Sequence, residues 1–219
     1  MQPKQKLKKK DFIEIKYTGK VKDGDIFDTN IEEDAKKINL DIKTRPLIIC
    51  IGENMILPAI DEFLEGKEIG EKYTLELSPE KAFGSRKREM IKIIPSSKFK
   101  EQNMPPHPGM VFQFDNLIGK ITAVSGGRVI VDFNNPIAGK DVVYDIKIEK
   151  LITEQNEKVK ALMQIFFRKD FQFKIETKKL VIEAEKGFEK FIEIFKPKFK
   201  EILDLDLEIK TKEKPINKK

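Results

Sequence analysis

The chain has 219 residues, 37% of them charged, and a formal net charge of +6. It contains one histidine (His107), one cysteine (Cys50) and no tryptophan, which excludes a zinc site built from several Cys and His ligands and any intramolecular disulfide. No apolar run is long enough to cross a bilayer, and the basic residues 1–10 are not followed by the apolar stretch of a signal peptide. We therefore expect a cytoplasmic protein that works without a membrane, a metal or a cofactor.

The positive charge is concentrated at the two ends of the chain. Residues 1–10 carry five lysines and no acid, and residues 154–219 carry 17 basic and 13 acidic groups, whereas residues 11–153 carry 21 basic and 24 acidic groups. A solvated basic surface explains this distribution. Contact with nucleic acid or the ribosome is the alternative, but clustered arginines and repeated stacking aromatics are missing, so we do not expect it to be the primary role.

The first part of the chain predicts a small antiparallel sheet with one short helix. Apolar alternation predicts strands at Phe12–Tyr17 and Ile26-Phe27, joined by a hairpin turn at Asp23-Gly24. A polar loop over 30–45 follows, and then a buried strand at Pro46–Ile51. The pattern next predicts a helix at Pro58–Leu64, ended by Gly66, and a strand at Glu71–Leu77.

The pattern of apolar residues and prolines changes in the middle of the chain. After the isoleucines at 91–94 and a proline cluster at 105–108, three strand-like runs follow at Met110–Phe114, Leu117–Val124 and Arg128–Phe133, and Val142–Leu151 then alternates again. Beyond Thr153 the pattern first predicts a helix with Val159, Leu162, Met163 and Phe166 on one face. Strands at Phe171–Ile175 and Leu180–Ala184 follow, and then a helix with Phe188, Phe191, Ile192 and Phe195 on one face, which Pro197 kinks or ends. The last predicted element is a strand at Leu205–Ile209.

One ordered set of motifs rises above chance. Tyr17-Thr18-Gly19 is followed by Asp23-Gly24, Phe27-Asp28, Ala82-Phe83-Gly84 and Tyr144-Asp145-Ile146. In this order the residues resemble the FKBP-type peptidyl-prolyl isomerases. Some 45 residues, 88–131, are inserted between the Ala-Phe-Gly turn and the return at Asn135–Lys140. This insertion resembles the SlyD-like group, in which a small β domain that binds unfolded clients replaces the flap. With residues 154–219 added, the whole chain is similar to the long archaeal FKBP-type isomerase-chaperones.

The resemblance implies an α+β fold class with three parts. We expect an isomerase domain at 11–87 and 132–153, in which an FKBP-like antiparallel sheet wraps on a short helix. An inserted small β domain occupies 88–131, and a C-terminal α+β domain occupies 154–219. The C-terminal part is rich in phenylalanine, which is consistent with a core, a second client site or a self-association surface. Of these we consider self-association into a homodimer.

The implied activity is rotation about X–Pro bonds in proline-containing clients. This rotation has a barrier of about 18–20 kcal/mol because it breaks amide resonance, and no bond to carbon forms or breaks, so an apolar socket suffices. The resemblance assigns the catalytic site to Tyr17, Phe27, Asp28, Ile56, Leu57, Ile60, Phe83 and Tyr144, with Leu47 and Ile137 as substrate-binding neighbours. It implies that the backbone N–H of Leu57 donates a hydrogen bond to the substrate carbonyl and that Asp28 lies at the pocket edge. Phe83 stands where the family usually has a tyrosine.

The inserted domain has more apolar residues than a unit of its size can readily bury. We expect it to hold unfolded polypeptide clients through residues that include Ile91, Ile93, Met104, Met110, Phe112 and Phe114. A holdase that binds proline-containing segments without catalysing their isomerisation is the rival interpretation.

Overall fold

The computed structural model describes residues 5–40, 46–101, 103–114 and 117–212. The described residues fall into two compact units. The first comprises 5–20, 25–40, 46–75 and 144–212, and the second comprises 21–24 and 76–143 without the undescribed positions. Residues 41–45 of the predicted loop lie outside the described residues.

The strands of the described residues are β1 (Phe12–Val21), β2 (Ile26–Thr29), β3 (Leu47–Cys50), β4 (Lys72–Leu77), β5 (Ile91–Pro95), β6 (Val111–Phe114), β7 (Leu117–Ser125), β8 (Arg128–Asp132), β9 (Val142–Ile152), β10 (Gln172–Glu176), β11 (Lys179–Glu185) and β12 (Asp206–Lys212). The helices are α1 (Glu32–Lys37), α2 (Pro58–Leu64), α3 (Ser96–Glu101), α4 (Gln155–Phe167), α5 (Glu189–Glu193) and α6 (Lys196–Leu203).

Strand β1 organises the main sheet because it pairs along one edge with two strands. Its first half pairs antiparallel with β3, from Phe12 opposite Cys50 to Ile15 opposite Leu47, and its second half pairs antiparallel with β2. The strand order is β2-β1-β9-β4. Since side chains alternate between the faces of a strand, Ile13 and Ile15 share a face with Tyr17, and this face carries the candidate site.

Helix α2 begins and ends where the sequence predicts. Pro58 lies in its first turn, where a fixed φ and a missing N–H cost nothing, and Gly66 follows its end with φ of +78°. Ile60 and Leu64 are buried, so the apolar stripe of the helix faces the core.

The predicted loop over 30–45 is wrong in its first part, since Glu32–Lys37 forms α1. Acidic residues fill the first turn and lysines the last, which suits the helix dipole, and Lys36 lies 2.7 Å from Glu32 one turn earlier. Ala35 alone is buried. The helix has too narrow an apolar face to be recognised from hydrophobic spacing.

The C-terminal segment forms a three-stranded sheet, in which β11 pairs antiparallel with β10 and parallel with β12. The predicted second helix is two helices, and Pro197 begins α6 rather than ending a longer helix. Two pairs of stacked rings join α4 to the start of α6. The ring of Phe166 lies 4.9 Å from that of Phe195, the residue before α6, and the ring of Phe167 lies 6.0 Å from that of Phe199 on α6. This α+β composition agrees with the predicted class.

The core of the C-terminal segment continues into the main sheet. Phe12 and Cys50, paired between β1 and β3, lie in one buried cluster with Leu162 of α4, Ile182 of β11 and Phe199 of α6. The segment therefore covers the face of β1 and β3 opposite Ile13 and Ile15. The domain boundaries given by the sequence, including a separate domain at 154–219, stay predictions.

The second unit contains an antiparallel sheet in the order β5-β8-β7-β6. Its core contains Phe112, Ile121, Val129 and Val131 from the sheet and Phe99 from α3. Gly119 is required in β7, since a Cβ there would lie 2.6 Å from Val131. The strands of this sheet, β5 to β8, overlap the β region predicted at 88–131, whose bounds stay a prediction.

Candidate active site

Three aromatic rings on the inner face of the main sheet form the centre of the candidate site. The ring of Tyr144 on β9 lies 6.2 Å from that of Tyr17 on β1 and 5.8 Å, edge to face, from that of Phe27 on β2. Tyr17 and Phe27 are half-buried and Tyr144 is buried. We call Tyr17, Phe27 and Tyr144 the aromatic cluster.

Gly19 forms the floor under this cluster. A Cβ at this position would lie 2.8 Å from Cε1 of Tyr144 and 3.0 Å from Cζ of Phe27, closer than packed carbon atoms approach. The pairing of β1 with β2 also shifts register between Gly19 and Lys20. The rings of the aromatic cluster can therefore meet only because position 19 has no side chain.

A hydrogen bond fixes the polar edge of the cluster. The Tyr17 hydroxyl donates to Oδ2 of Asp28 over 3.0 Å. Burial, followed by the negative charge of Asp28, raises the pKa of the Tyr17 hydroxyl well above its usual value. Burial and Asp28 raise the pKa of Tyr144 in the same direction. Both phenols therefore stay protonated at any physiological pH, and both are hydrogen-bond donors.

Hydrogen bonds from side chains hold the strand end that carries Asp28. Where β2 ends, Asn30 continues its pairing with β1, because its Oδ1 accepts from the N–H of Tyr17 at 2.7 Å and its Nδ2 donates to the carbonyl of Ile15 at 2.8 Å. Oγ1 of the buried Thr29 lies 2.9 Å from that of Thr18. These bonds fix the backbone on both sides of the Tyr17–Asp28 pair.

The loop between β3 and α2 is held by a buried carboxylate. Asp61, 3% exposed, accepts the N–H of Gly52 at 2.9 Å through Oδ1 and that of Asn54 at 2.8 Å through Oδ2. The loop ends at Leu57, whose carbonyl accepts from the N–H of Ile60 and Asp61. Within the described residues, the N–H of Leu57 has no acceptor.

The other predicted site residues are found on both units. In the first unit Leu47 and Ile56 are half-buried and Ile60 is 5% exposed at the start of α2. Phe83 and Ile137 belong to the second unit, where both are half-buried. The structure thus brings Tyr17, Phe27, Asp28 and Tyr144 together by direct contact. The roles of the remaining residues stay predictions.

The predicted client-binding residues of the insert differ in exposure. Ile93, Ile91 and Phe114 are exposed, at 64%, 37% and 37%. Phe112 is buried in the core of the insert, with its ring 5.1 Å from that of Phe99. A buried ring cannot contact a client, so Phe112 is removed from the client surface. Met104 and Met110 are half-buried and pack against the same core.

Sequence reasoning gave no role to Gly19, Asn30 or Asp61. Asp61 carried a usable signal, because an acid in the first turn of an apolar helix, shortly after a glycine loop, is typical of a carboxylate that caps backbone N–H groups. Asn30 carried none, since its function depends on where β2 stops.

Cys50 is fully buried between β3 and the C-terminal segment. Burial raises the pKa of its thiol to about 12, and the nearby Glu53 and Asp61 carboxylates act in the same direction. The thiol is therefore protonated and inert, as expected for a core cysteine. Among the described residues, no three His, Cys, Asp or Glu side chains converge as a metal site requires.

Comparison with known families shows which family the chain belongs to. The model of the FKBP-type peptidyl-prolyl cis-trans isomerases matches residues 3–113, which is half of the chain. This chain belongs to that family. A second family model, described as the FKBP26 IF domain, matches residues 92–137. The FKBP-type enzyme and its insert, predicted from the sequence, are both confirmed.

Relatives of this isomerase extend the comparison. A short-type peptidyl-prolyl cis-trans isomerase of Methanocaldococcus jannaschii is 31% identical over 154 residues, covering 69% of this chain and 98% of that protein. The SlyD isomerase of Haemophilus influenzae is 28% identical over 147 residues, covering 65% and 71%. These relatives confirm the SlyD-like resemblance and its archaeal side. The structure of the three FKBP domains of wheat FKBP73 overlaps 68% of this chain and 42% of that chain at 14% identity, with a TM-score of 0.37 that is too low for a comparison.

The enzyme activity follows from the family: this chain is a peptidyl-prolyl cis-trans isomerase. In the part of the chain that the structure describes, no helix has both the length and the apolar character required to pass through a membrane.

Proposed function

We propose that the aromatic cluster binds the proline ring of the substrate and lowers the barrier to rotation of the preceding amide. The observation that carries this proposal is the contact of Tyr17, Phe27 and Tyr144 above Gly19. A twisted amide has lost resonance and its charge separation, so an apolar, water-poor site favours the twisted form over the planar one. Catalysis requires this preference for the transition state.

Two donors at the site suit the carbonyl groups of a bound peptide. The N–H of Leu57 has no acceptor in the described residues, and neither has the hydroxyl of Tyr144. The raised pKa of Tyr144 keeps its hydroxyl protonated. We assign the Leu57 N–H to the carbonyl that anchors the substrate. Tyr144 supplies the pocket with a hydroxyl although position 83 is a phenylalanine.

Exchange spectroscopy by NMR on an X–Pro peptide tests this assignment. Tyr17→Ala and Asp28→Ala are expected to abolish most of the catalysed exchange, and Tyr144→Phe to lower kcat/KM several-fold without changing the fold. Tyr73→Phe is the matched control, since the Tyr73 hydroxyl accepts the N–H of Glu68 away from the aromatic cluster. If the unmodified protein left the exchange rate at its uncatalysed value, the protein would bind proline-containing segments without catalysing their isomerisation.

We propose that the insert holds unfolded clients of the isomerase. Exposed apolar side chains on β5, β6 and β7, with Ile118 at 67%, Ile93 at 64% and Val111 at 61%, support this role, because soluble surfaces seldom gather such residues without a partner. Deleting 88–131 is expected to slow catalysis of prolyl-limited protein refolding while leaving exchange in a short peptide unchanged. Equal refolding rates with and without the insert would show that it holds no client.

The remaining expectations concern assembly and place. Homodimerisation through 154–219 predicts a dimer mass at micromolar concentration, and a monomer mass contradicts it. The nucleic-acid alternative predicts RNA binding that weakens steeply with salt and disappears when 1–10 and 210–219 are removed. A cytoplasmic location is proposed because the chemistry needs only polypeptide clients, and fractionation of source cells tests it.

A further inference from the structure

The second unit has an apolar cleft of about 440 Å³ on its sheet. Phe114 and Leu117 lie opposite each other at the end of the β6–β7 hairpin, 37% and 51% exposed. Phe133 and Ile94 line the cleft beside them. A second cleft of about 650 Å³ shares Leu117 and Phe133 with the first and continues past Val111, Ile118 and Pro136. Together they provide room for several apolar side chains.

The charges around the two clefts have one dominant sign. Lys92 and Lys98 are the charged residues lining the first cleft. Arg86, Lys120, Lys140 and Asp132 line the second. Asp132 is ion-paired with Arg86, so the lining of the described residues offers no free carboxylate to the lysines. Glu101 lies 3.6 Å from Lys98, but both side chains are more than 60% exposed, and such a pair contributes little.

The insert as a whole shows the same asymmetry. Residues 88–131 carry six basic and three acidic groups, whereas the isomerase segments 11–87 and 132–153 carry 15 basic and 21 acidic groups. The basic character is therefore specific to the insert, which supplies Lys92 and Lys98 to the first cleft and Lys120 to the second. Both ends of the chain are themselves rich in lysine, so charge disfavours them as occupants of these clefts.

We propose that the insert selects client segments in which a short apolar stretch is flanked by Asp or Glu. The apolar side chains fill the two clefts, and the carboxylates pair with lysines at their rims. This specificity rests on the client-holding role proposed above. It also separates the roles of the insert and the isomerase segments, since an acidic flank that the insert recognises is repelled by the net negative charge of the isomerase segments.

Fluorescence anisotropy with the full chain tests the proposal. Three peptides share one proline-free apolar core, which keeps them out of the isomerase pocket, and carry glutamate, serine or lysine flanks with a neutral dye. An exposed ion pair changes affinity by roughly 1.5- to 5-fold. The glutamate peptide is therefore expected to bind about 3- to 10-fold more tightly than the serine peptide, and the lysine peptide more weakly than either. The differences are expected to shrink towards one at ~1 M salt.

Charge-matched variants locate the effect. Lys92→Gln with Lys120→Gln is expected to remove the preference for glutamate flanks while leaving the affinity for the serine peptide unchanged. Lys160→Gln with Lys190→Gln, which alters the C-terminal segment by the same net charge, is expected to retain the preference.

Equal affinities of the three peptides would overturn the charge specificity and leave client holding intact. No binding of any peptide would overturn both. A dimer in sedimentation that the Lys92 and Lys120 variant abolishes would show that a second copy occupies the clefts, and the proposal would again be wrong.

Discussion

The buried carboxylate of Asp61 gives the sharpest energetic prediction. It accepts two backbone N–H groups, at 2.9 and 2.8 Å, from a loop whose last residue offers the N–H assigned to the substrate. Hydrogen bonds to a charged group contribute about 1.5–3 kcal/mol each when buried. Gly52 and Asn54 are themselves exposed, so water recovers part of this loss. Asp61→Ala is therefore expected to lower the free energy of unfolding by about 2–4 kcal/mol.

Asp61→Asn separates the two bonds. The amide keeps one acceptor oxygen but turns an NH₂ group towards the second backbone N–H, so about half of the loss is expected to remain. Urea unfolding at constant slope measures both variants. Below the unfolding transition, kcat/KM on an X–Pro peptide is expected to fall about tenfold or more, because small displacements of positioning groups are costly in catalysis.

Glu62→Ala is the control for this pair, since Glu62 follows Asp61 on α2 and is exposed. Its unfolding free energy is expected to stay within about 0.5 kcal/mol of the parent. If Asp61→Ala were as stable as Glu62→Ala, or if its kcat/KM were unchanged, the carboxylate would not hold the loop.

Three further changes probe the site and the core. Gly19→Ala is expected to cost about 1–3 kcal/mol of stability and most of the isomerase activity, since its methyl group would clash with Tyr144; urea unfolding and peptide exchange measure this. Tyr17→Phe removes the hydrogen bond to Asp28 and is expected to lower kcat/KM several-fold at a stability cost of about 1–2 kcal/mol. Cys50, with a thiol pKa raised to about 12, is expected to resist alkylation at pH 8 until urea unfolds the chain. The free energy of unfolding is expected to fall as pH rises from about 9 towards 12, because in this range the thiol ionises only in the unfolded chain.

Each of these predictions has a result that would contradict it. Full activity in Gly19→Ala would mean that the rings separate freely, and a Tyr17→Phe enzyme as fast as the parent would remove Asp28 from the mechanism. Rapid alkylation of Cys50 in the folded protein would show that the C-terminal segment opens away from β3.

The sequence predicts the sheet, α2 and the family because strong patterns carry them. Apolar alternation marks β1 and β9, and Pro58 and Gly66 bound α2. Helix α1 was missed because charge order rather than apolar spacing stabilises it. At Pro197 the same residue type can end one helix or begin the next, and only packing of Phe199 decides which.

The site residues show the same division. Tyr17, Phe27 and Tyr144 are identified by motif, but a motif does not separate core from surface, so Phe112 was placed on the client surface although it is buried. Nor does a motif reveal which backbone groups a side chain contacts, such as the N–H of Gly52 for Asp61 or the carbonyl of Ile15 for Asn30. Those contacts depend on the fold.

The cluster shared by β1, β3 and the C-terminal segment has a consequence for synthesis of the chain. Phe12 and Cys50 are synthesised about 150 residues or more before Phe199, which lies in the same cluster. A nascent chain therefore carries an uncovered apolar sheet face until α6 has been made. The insert, which we propose to hold clients, is synthesised before that face is covered. Limited proteolysis of ribosome-bound chains ending before and after α6 would show when protection of β3 is gained.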